Sequence, residues 1–167
     1  MKSSARKAPV KIHLRHYEAG DFDTLIEIDR ACYEPGIAYS KRDMRAYLQF
    51  PGAECILAES SGEIAGFCIS ARQRTRGYIV TIDVLDKYRK SGIGSALLRE
   101  VELRLAANGV REVGLETATD NESAIAFWNK HGYRTLGVEK GYYPGGRDAF
   151  AMTKILVPLA RASKEGR

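Results

Sequence analysis

Apolar and polar positions along the chain fall into short segments whose period changes at glycines, prolines and capping residues. VKIHLRHY (10–17) reads as an opening strand. Asp21 stands where it can cap a helix with an apolar face of Phe22, Leu25, Ile26 and Ile28. CYEPGIAYS (32–40) breaks that helix at Pro35 and Gly36, and Ser40 can cap a second one, KRDMRAYLQF. CILAES, a Ser61-Gly62 turn and EIAGFCISARQ form a hairpin signal, and YIVTIDVL (78–85) is a further strand. A helix from about Gly92 to Asn108 carries a stripe of Ile93, Leu97, Val101 and Leu105, with Leu98 beside it. Gly109 suits a left-handed cap at its end. REVGLETA (111–118) is a strand, Asn121 caps ESAIAFWNKHG, and two last strands flank a turn at YYPGG (142–146).

The order is βααβββαβαββ. The strand–helix–strand unit over 78–118 favours parallel pairing inside an otherwise antiparallel meander. That predicts an α/β protein of the mixed α+β kind, with helices on both faces of the sheet.

Composition adds boundaries. The 167 residues suit one domain, expected over 10–160, between a basic tail (1–9) and a short C-terminal tail (161–167). No apolar run approaches the roughly 20 residues that cross a bilayer, and the basic N-terminus is not followed by a long apolar core. Cys32, Cys55 and Cys68 lack paired or metal-ligand spacing, so reduced thiols, no metal and a cytoplasmic location are expected. The net charge is +5, but Lys and Arg are scattered and no aromatic-and-basic motif marks direct nucleic-acid binding.

The stretch with most chemical content is RKSGIG (89–94). Its glycines let main-chain N–H groups approach a ligand where a helix begins, and Arg89 and Lys90 add positive charge. The expected guest is a pyrophosphate. The spacing matches neither GxxxxGK[ST] nor GxGxxG.

RKSGIG resembles the Q/R-x-x-G-x-G/A motif of the GNAT superfamily of acetyl-CoA-dependent N-acetyltransferases. IDVLDKYRKSGIG resembles that family's strand, loop and helix start, and TDNESAIAFWNKHGY its following helix. EKGYYPGGRDAFAMTK resembles the ending of the protein N-terminal enzymes, the ribosomal-protein alanine type included. The resemblance spans about 10–156 and implies the acyl-CoA N-acyltransferase fold, acetyl-CoA as co-substrate and no metal. Ile82, Asp83 and Val84 would pair with the pantetheine arm. Arg89, Lys90, Ser91, Gly92, Ile93, Gly94 and Ser95 would hold the pyrophosphate. Asn121 would lie near the pantetheine, a role compatible with its capping one. Trp128 stands where the family usually has a proton-donating tyrosine; indole cannot deliver its proton, so it is either a cofactor contact or a packing residue. Either a solvent proton serves, or Tyr78, Tyr142 or Tyr143 substitutes, Tyr78 matching a catalytic tyrosine in some eukaryotic relatives.

Strand alternation puts Gly114, Glu116 and Ala118 on one face, which leaves the surroundings of Glu116 open. Glu116 matches the glutamate that the ribosomal-protein enzyme of the family uses as base, directly or through water; its alternative is a surface ion pair. Substrate contacts are implied for Tyr33, Glu34, Pro35, Tyr39, Tyr142 and Tyr143. The acceptor would be a protein or peptide N-terminus, a ribosomal protein among the candidates. An α-amine of pKa near 7.7–8.0 costs roughly 1 kcal/mol to deprotonate at neutral pH, against about 4–5 for lysine. Acceptors of other kinds (lysine side chains, small-molecule amines) and a weakly catalytic acyl-CoA-binding module stay open as alternatives.

Overall fold

The computed structural model describes residues 10–157. The two expected tails, and the last residues of the expected 10–160 domain, lie outside the described residues.

Seven strands and four α-helices follow the predicted order. They are β1 (His13–His16), α1 (Phe22–Cys32), α2 (Lys41–Gln49), β2 (Ala53–Ser60), β3 (Glu63–Gln73), β4 (Arg76–Val84), α3 (Ile93–Ala107), β5 (Glu112–Ala118), α4 (Glu122–Lys130), β6 (Arg134–Tyr143) and β7 (Arg147–Ile155). One sheet runs β1-β2-β3-β4-β5-β7-β6. Its pairs are antiparallel except β4 with β5, which a crossover through α3 joins in parallel.

Two cores sandwich the sheet. On one face Ile93, Leu97, Leu98, Val101 and Leu105 of α3 and Trp128 of α4 pack on Ile56, Cys68, Ile79, Val113 and Leu115. On the other, Phe22, Leu25, Ile26 and Ile28 of α1 and Met44 of α2 pack on Cys55, Leu57, Phe67 and Ile69. Cys55 and Cys68 are buried free thiols within these layers, and Cys32 is a partly exposed free thiol. Among the described residues no helix is long and apolar enough to cross a membrane, and no cluster of His, Cys, Asp or Glu is arranged to hold a metal ion.

The caps follow the sequence with one correction. Ser40 Oγ accepts from Asp43 N–H, and Asn121 Oδ1 accepts from Ala124 N–H, both at 3.1 Å. Asp21 does not cap α1 with its side chain. Its carboxylate binds Arg15 at 2.8 and 2.9 Å and takes the Glu18 N–H at 2.8 Å. A guanidinium within reach outcompetes the helix N–H groups because both partners carry full charge.

Two irregularities in β4 open the sheet. Thr81 pairs with Ile69 and Ile79 with Ser70, so Val80 is an extra residue with no partner on β3, a β-bulge. The bulge shifts the strand's phase, so Ile79 and Ile82 both reach the α3 core. At the approach to the bulge β4 leaves β5: their pairing covers only Arg76, Gly77 and Tyr78, against Glu112, Val113 and Gly114.

Candidate active site

Where β4 and β5 part, a cleft of about 1070 Å³ passes between the two helical layers. Its wall carries Tyr33, Glu34, Tyr39, Ile82, Asp83, Val84, Arg89, Lys90, Gly92, Gly94, Ser95, Glu116, Asn121, Trp128, Tyr142 and Tyr143. Most residues singled out by the sequence therefore meet in one place. Pro35, Ser91 and Ile93 are not on that wall, and Tyr78 lines an adjoining cavity that shares Glu116 with the cleft.

The cradle at the start of α3 is built from main chain. Gly92 caps the helix with φ +89°, a left-handed conformation that a side chain resists, and Lys90 is also left-handed at φ +61°. The first main-chain bond of the helix is Ala96 N–H to Gly92 O at 3.0 Å. The N–H groups of Ile93, Gly94 and Ser95 thus have no acceptor within the helix, and α3 is 15 residues long, enough for its dipole to favour an anion there. A Cβ on Gly92 would touch nothing within 4 Å, so the approach is open. These features fit a pyrophosphate. Side chains contribute less than the motif suggests. Ile93 is buried in the α3 core, the Ser91 hydroxyl turns back onto Tyr88 O, and Ser95 Oγ meets His131 Nε2 at 2.9 Å. Arg89 Nε donates to Val84 O at 3.2 Å, tying the loop to the strand it leaves.

On β4 beyond the bulge, Leu85 N–H donates to Ala65 O at 2.9 Å. Alternation turns the main-chain groups of Val84 to the opposite edge, the one β5 has vacated, where Val84 O already accepts from Arg89 Nε and, at 3.4 Å, from the Cys32 thiol. A strand edge left without a neighbouring strand accepts an amide-bearing chain as an added strand, and the Val84 N–H faces that side.

Asp83 points its side chain elsewhere. Its carboxyl is 1% exposed, accepts from Thr81 Oγ1 at 2.5 Å and meets Asp29 of α1, itself 0% exposed. Burial, then the charge of Asp29, holds the Asp83 carboxyl well above the ordinary carboxylate range, and burial raises Asp29 too. Raised together, the two favour holding a proton over carrying two bare charges. The other oxygen of Asp29 takes the Tyr39 N–H at 2.6 Å, and Tyr39 Oη donates to Val80 O at 3.2 Å. The pair thereby ties the loop between α1 and α2 to the bulge of β4. Asp29 was not a candidate in the sequence; an acid on the apolar side of a helix, next to Ile28, was the available signal.

Glu116 sits on β5 opposite the bulge. Its carboxylate accepts from the Tyr78 hydroxyl and, at 3.4 Å, from that of Tyr142; the two hydroxyls are 3.3 Å apart. Burial raises the Glu116 carboxyl above its ordinary value, while the Tyr78 hydrogen bond opposes that shift. Burial likewise raises the Tyr78 and Tyr142 hydroxyls, which keeps them protonated as donors. Trp128 borders the cleft but is 5% exposed, with Tyr133 and Phe127 edge-on at 5.1 Å each. Arg147, absent from the sequence candidates, joins Glu34 at 3.4 Å and Asp120 at 2.7 Å.

The Acetyltransferase (GNAT) family model matches residues 22–133. An N-alpha-acetyltransferase of Sulfurisphaera tokodaii is 28% identical over 169 residues, covering 93% of this chain and 100% of the relative. The N-alpha-acetyltransferase RimI of Mycobacterium tuberculosis is 37% identical over 112 residues, covering 64% of this chain and 69% of the relative. The crystal structure of the ribosomal-protein-S18-alanine N-acetyltransferase from Escherichia coli superposes with a TM-score of 0.79 at 22% identity, covering 92% of this chain and 98% of that one. A split between β4 and β5, an amide cradle at the start of α3, and a sequence match across both make the chain an acetyltransferase of the GNAT family.

Proposed function

We propose that the chain moves the acetyl group of acetyl-CoA to the α-amine of a protein or peptide, with Glu116 as general base. The observation that carries this reading is the Glu116 carboxylate, raised by burial and set among the Tyr78 and Tyr142 hydroxyls where the two strands part. The names of the relatives support an N-terminal acceptor, a ribosomal protein among the candidates.

Acetyl-CoA supplies an activated acyl group; the residues of the chain do the rest. The N–H groups of Ile93, Gly94 and Ser95, with Arg89 and Lys90 nearby, hold the pyrophosphate. Ile82 and Val84 offer the main-chain edge to the pantetheine arm, and Asn121 borders it. Val84 N–H meets the negative charge that builds on the thioester oxygen. Glu116 takes a proton from the amine as its nitrogen bonds the acetyl carbon and the carbon–sulfur bond breaks. The hydrogen bond between Glu116 and Tyr78 gives that proton a route to the departing sulfur, since Tyr78 can give its own and be refilled. A thiol pKa near 8.5 makes this last step undemanding, so Trp128 need not act. Tyr33 and Tyr39 on one side, and Tyr142 and Tyr143 on the other, wall the acceptor. Pro35 shapes the first of these loops and Glu34 ties it down.

Incubation with acetyl-CoA and a panel of short peptides, alongside N-terminally blocked lysine peptides and small amines, tests the reading. Acetylation of free peptide N-termini is expected; acetylation confined to lysine side chains or small amines overturns it.

A further inference from the structure

A second cavity, of about 440 Å³, adjoins the cleft on the face of the sheet that carries Glu116. It shares Tyr47, Val80, Leu115 and Glu116 with the larger space, so the two meet at Glu116. Its sides are apolar and open to solvent: Phe50 at the end of α2 is 54% exposed and Leu136 on β6 is 57% exposed. Its far end is cationic, with Arg72 and Arg76 on the wall and Arg74 in the turn between β3 and β4. Arg76 faces Glu112 at 3.5 Å, whereas among the described residues Arg72 and Arg74 have no acidic partner. Glu116 is the one carboxylate on the described wall.

The ion pairs of Arg147 close off another direction, because they bridge the loop after α1, the start of β7 and the segment before α4. A chain whose first residue sits at Glu116 has an open course along the second cavity. Arg76 pairs with Glu112, four residues before Glu116 on β5, which is about 13 Å along an extended strand. At about 3.4 Å per residue, the third to fifth residues of an extended acceptor arrive at the arginines.

We infer that this groove is an acceptor subsite for residues three to five, and that its arginines select acidic side chains there. The inference rests on the N-terminal reading above. It concerns selectivity more than chemistry, since partly exposed charge pairs act mainly on encounter and KM.

The test uses three peptides that share their first two residues and carry aspartates, serines or lysines at positions three to five. The expected order of kcat/KM is aspartate over serine over lysine, with about five- to tenfold between the first two, expressed in KM and shrinking as salt is added. In the R72E/R74E double variant the aspartate-to-serine ratio should fall to about one or below; because the ratio is taken within one protein, lost yield does not disturb it. Equal kcat/KM for all three peptides overturns the subsite while leaving N-terminal transfer intact. A preference for aspartate that persists in the double variant also overturns it. If no peptide is acetylated while small amines are, the N-terminal reading fails and the subsite fails with it.

Discussion

Glu116 and the Asp29–Asp83 pair are both carboxyls lifted by burial, yet their surroundings differ in a way that separates the proposed base from a sealed structural pair. Glu116 is half-buried, lines two adjoining cavities and is met by two hydroxyls. Asp29 and Asp83 are 0% and 1% exposed, and their visible partners are a threonine hydroxyl and a main-chain N–H. Displacement from the ordinary value therefore does not mark a base by itself. Access of a second reactant to the carboxylate does.

The largest expected effect lies at the open carboxyl. Glu116→Gln should lower kcat by about 10²- to 10⁴-fold, the usual contribution of a positioned base, while calorimetry shows acetyl-CoA still bound. A rate left intact would move the base elsewhere. A smaller effect is expected next to it. Tyr78 donates to Glu116 and opposes the burial shift, so Tyr78→Phe should move the acidic limb of the kcat/KM profile to higher pH and cost about tenfold or less at neutral pH. A loss uniform in pH, with the limb unmoved, would instead assign Tyr78 wholly to the leaving sulfur.

The smallest effect, and one on stability, belongs to the sealed pair. A carboxyl whose native value is raised keeps its proton where the unfolded chain has surrendered it. Its contribution is complete below the unfolded value near 4 and is lost as pH climbs through the native one. Asp83→Asn keeps a neutral partner for Thr81 and Asp29 at all pH. The melting temperature of the parent should therefore fall relative to the variant between pH 5 and 8, each kcal/mol appearing as about 2–4 °C. A gap constant with pH would show that no proton is shared.

The element order, the two-sided sheet and the parallel β4–β5 pair were legible because hydrophobic period, glycines and capping residues agreed over most of the chain. Ser40, Asn121 and Gly109 behave as their local chemistry dictates. What could not be read was tertiary in origin. The Val80 bulge has no local signature in a run of β-branched residues, so the phase of β4 past Ile79, and with it the inward turn of Asp83, stayed hidden. Asp21 looked like a cap until Arg15 arrived from the preceding strand. Within the candidate site, RKSGIG announced an anion cradle, but which groups face it depended on the fold: Ile93 and Ser91 turn their side chains away and leave only main chain.

The three-residue pairing of β4 with β5 has a consequence for turnover. A gap in a sheet greets any slender amide-bearing tail alike, whether it arrives loaded or leaves spent. On the proposed reading, stripped coenzyme A competes with its acetylated form for one berth, and the ratio of the two in the surroundings, more than the total, sets how often the berth is usefully filled.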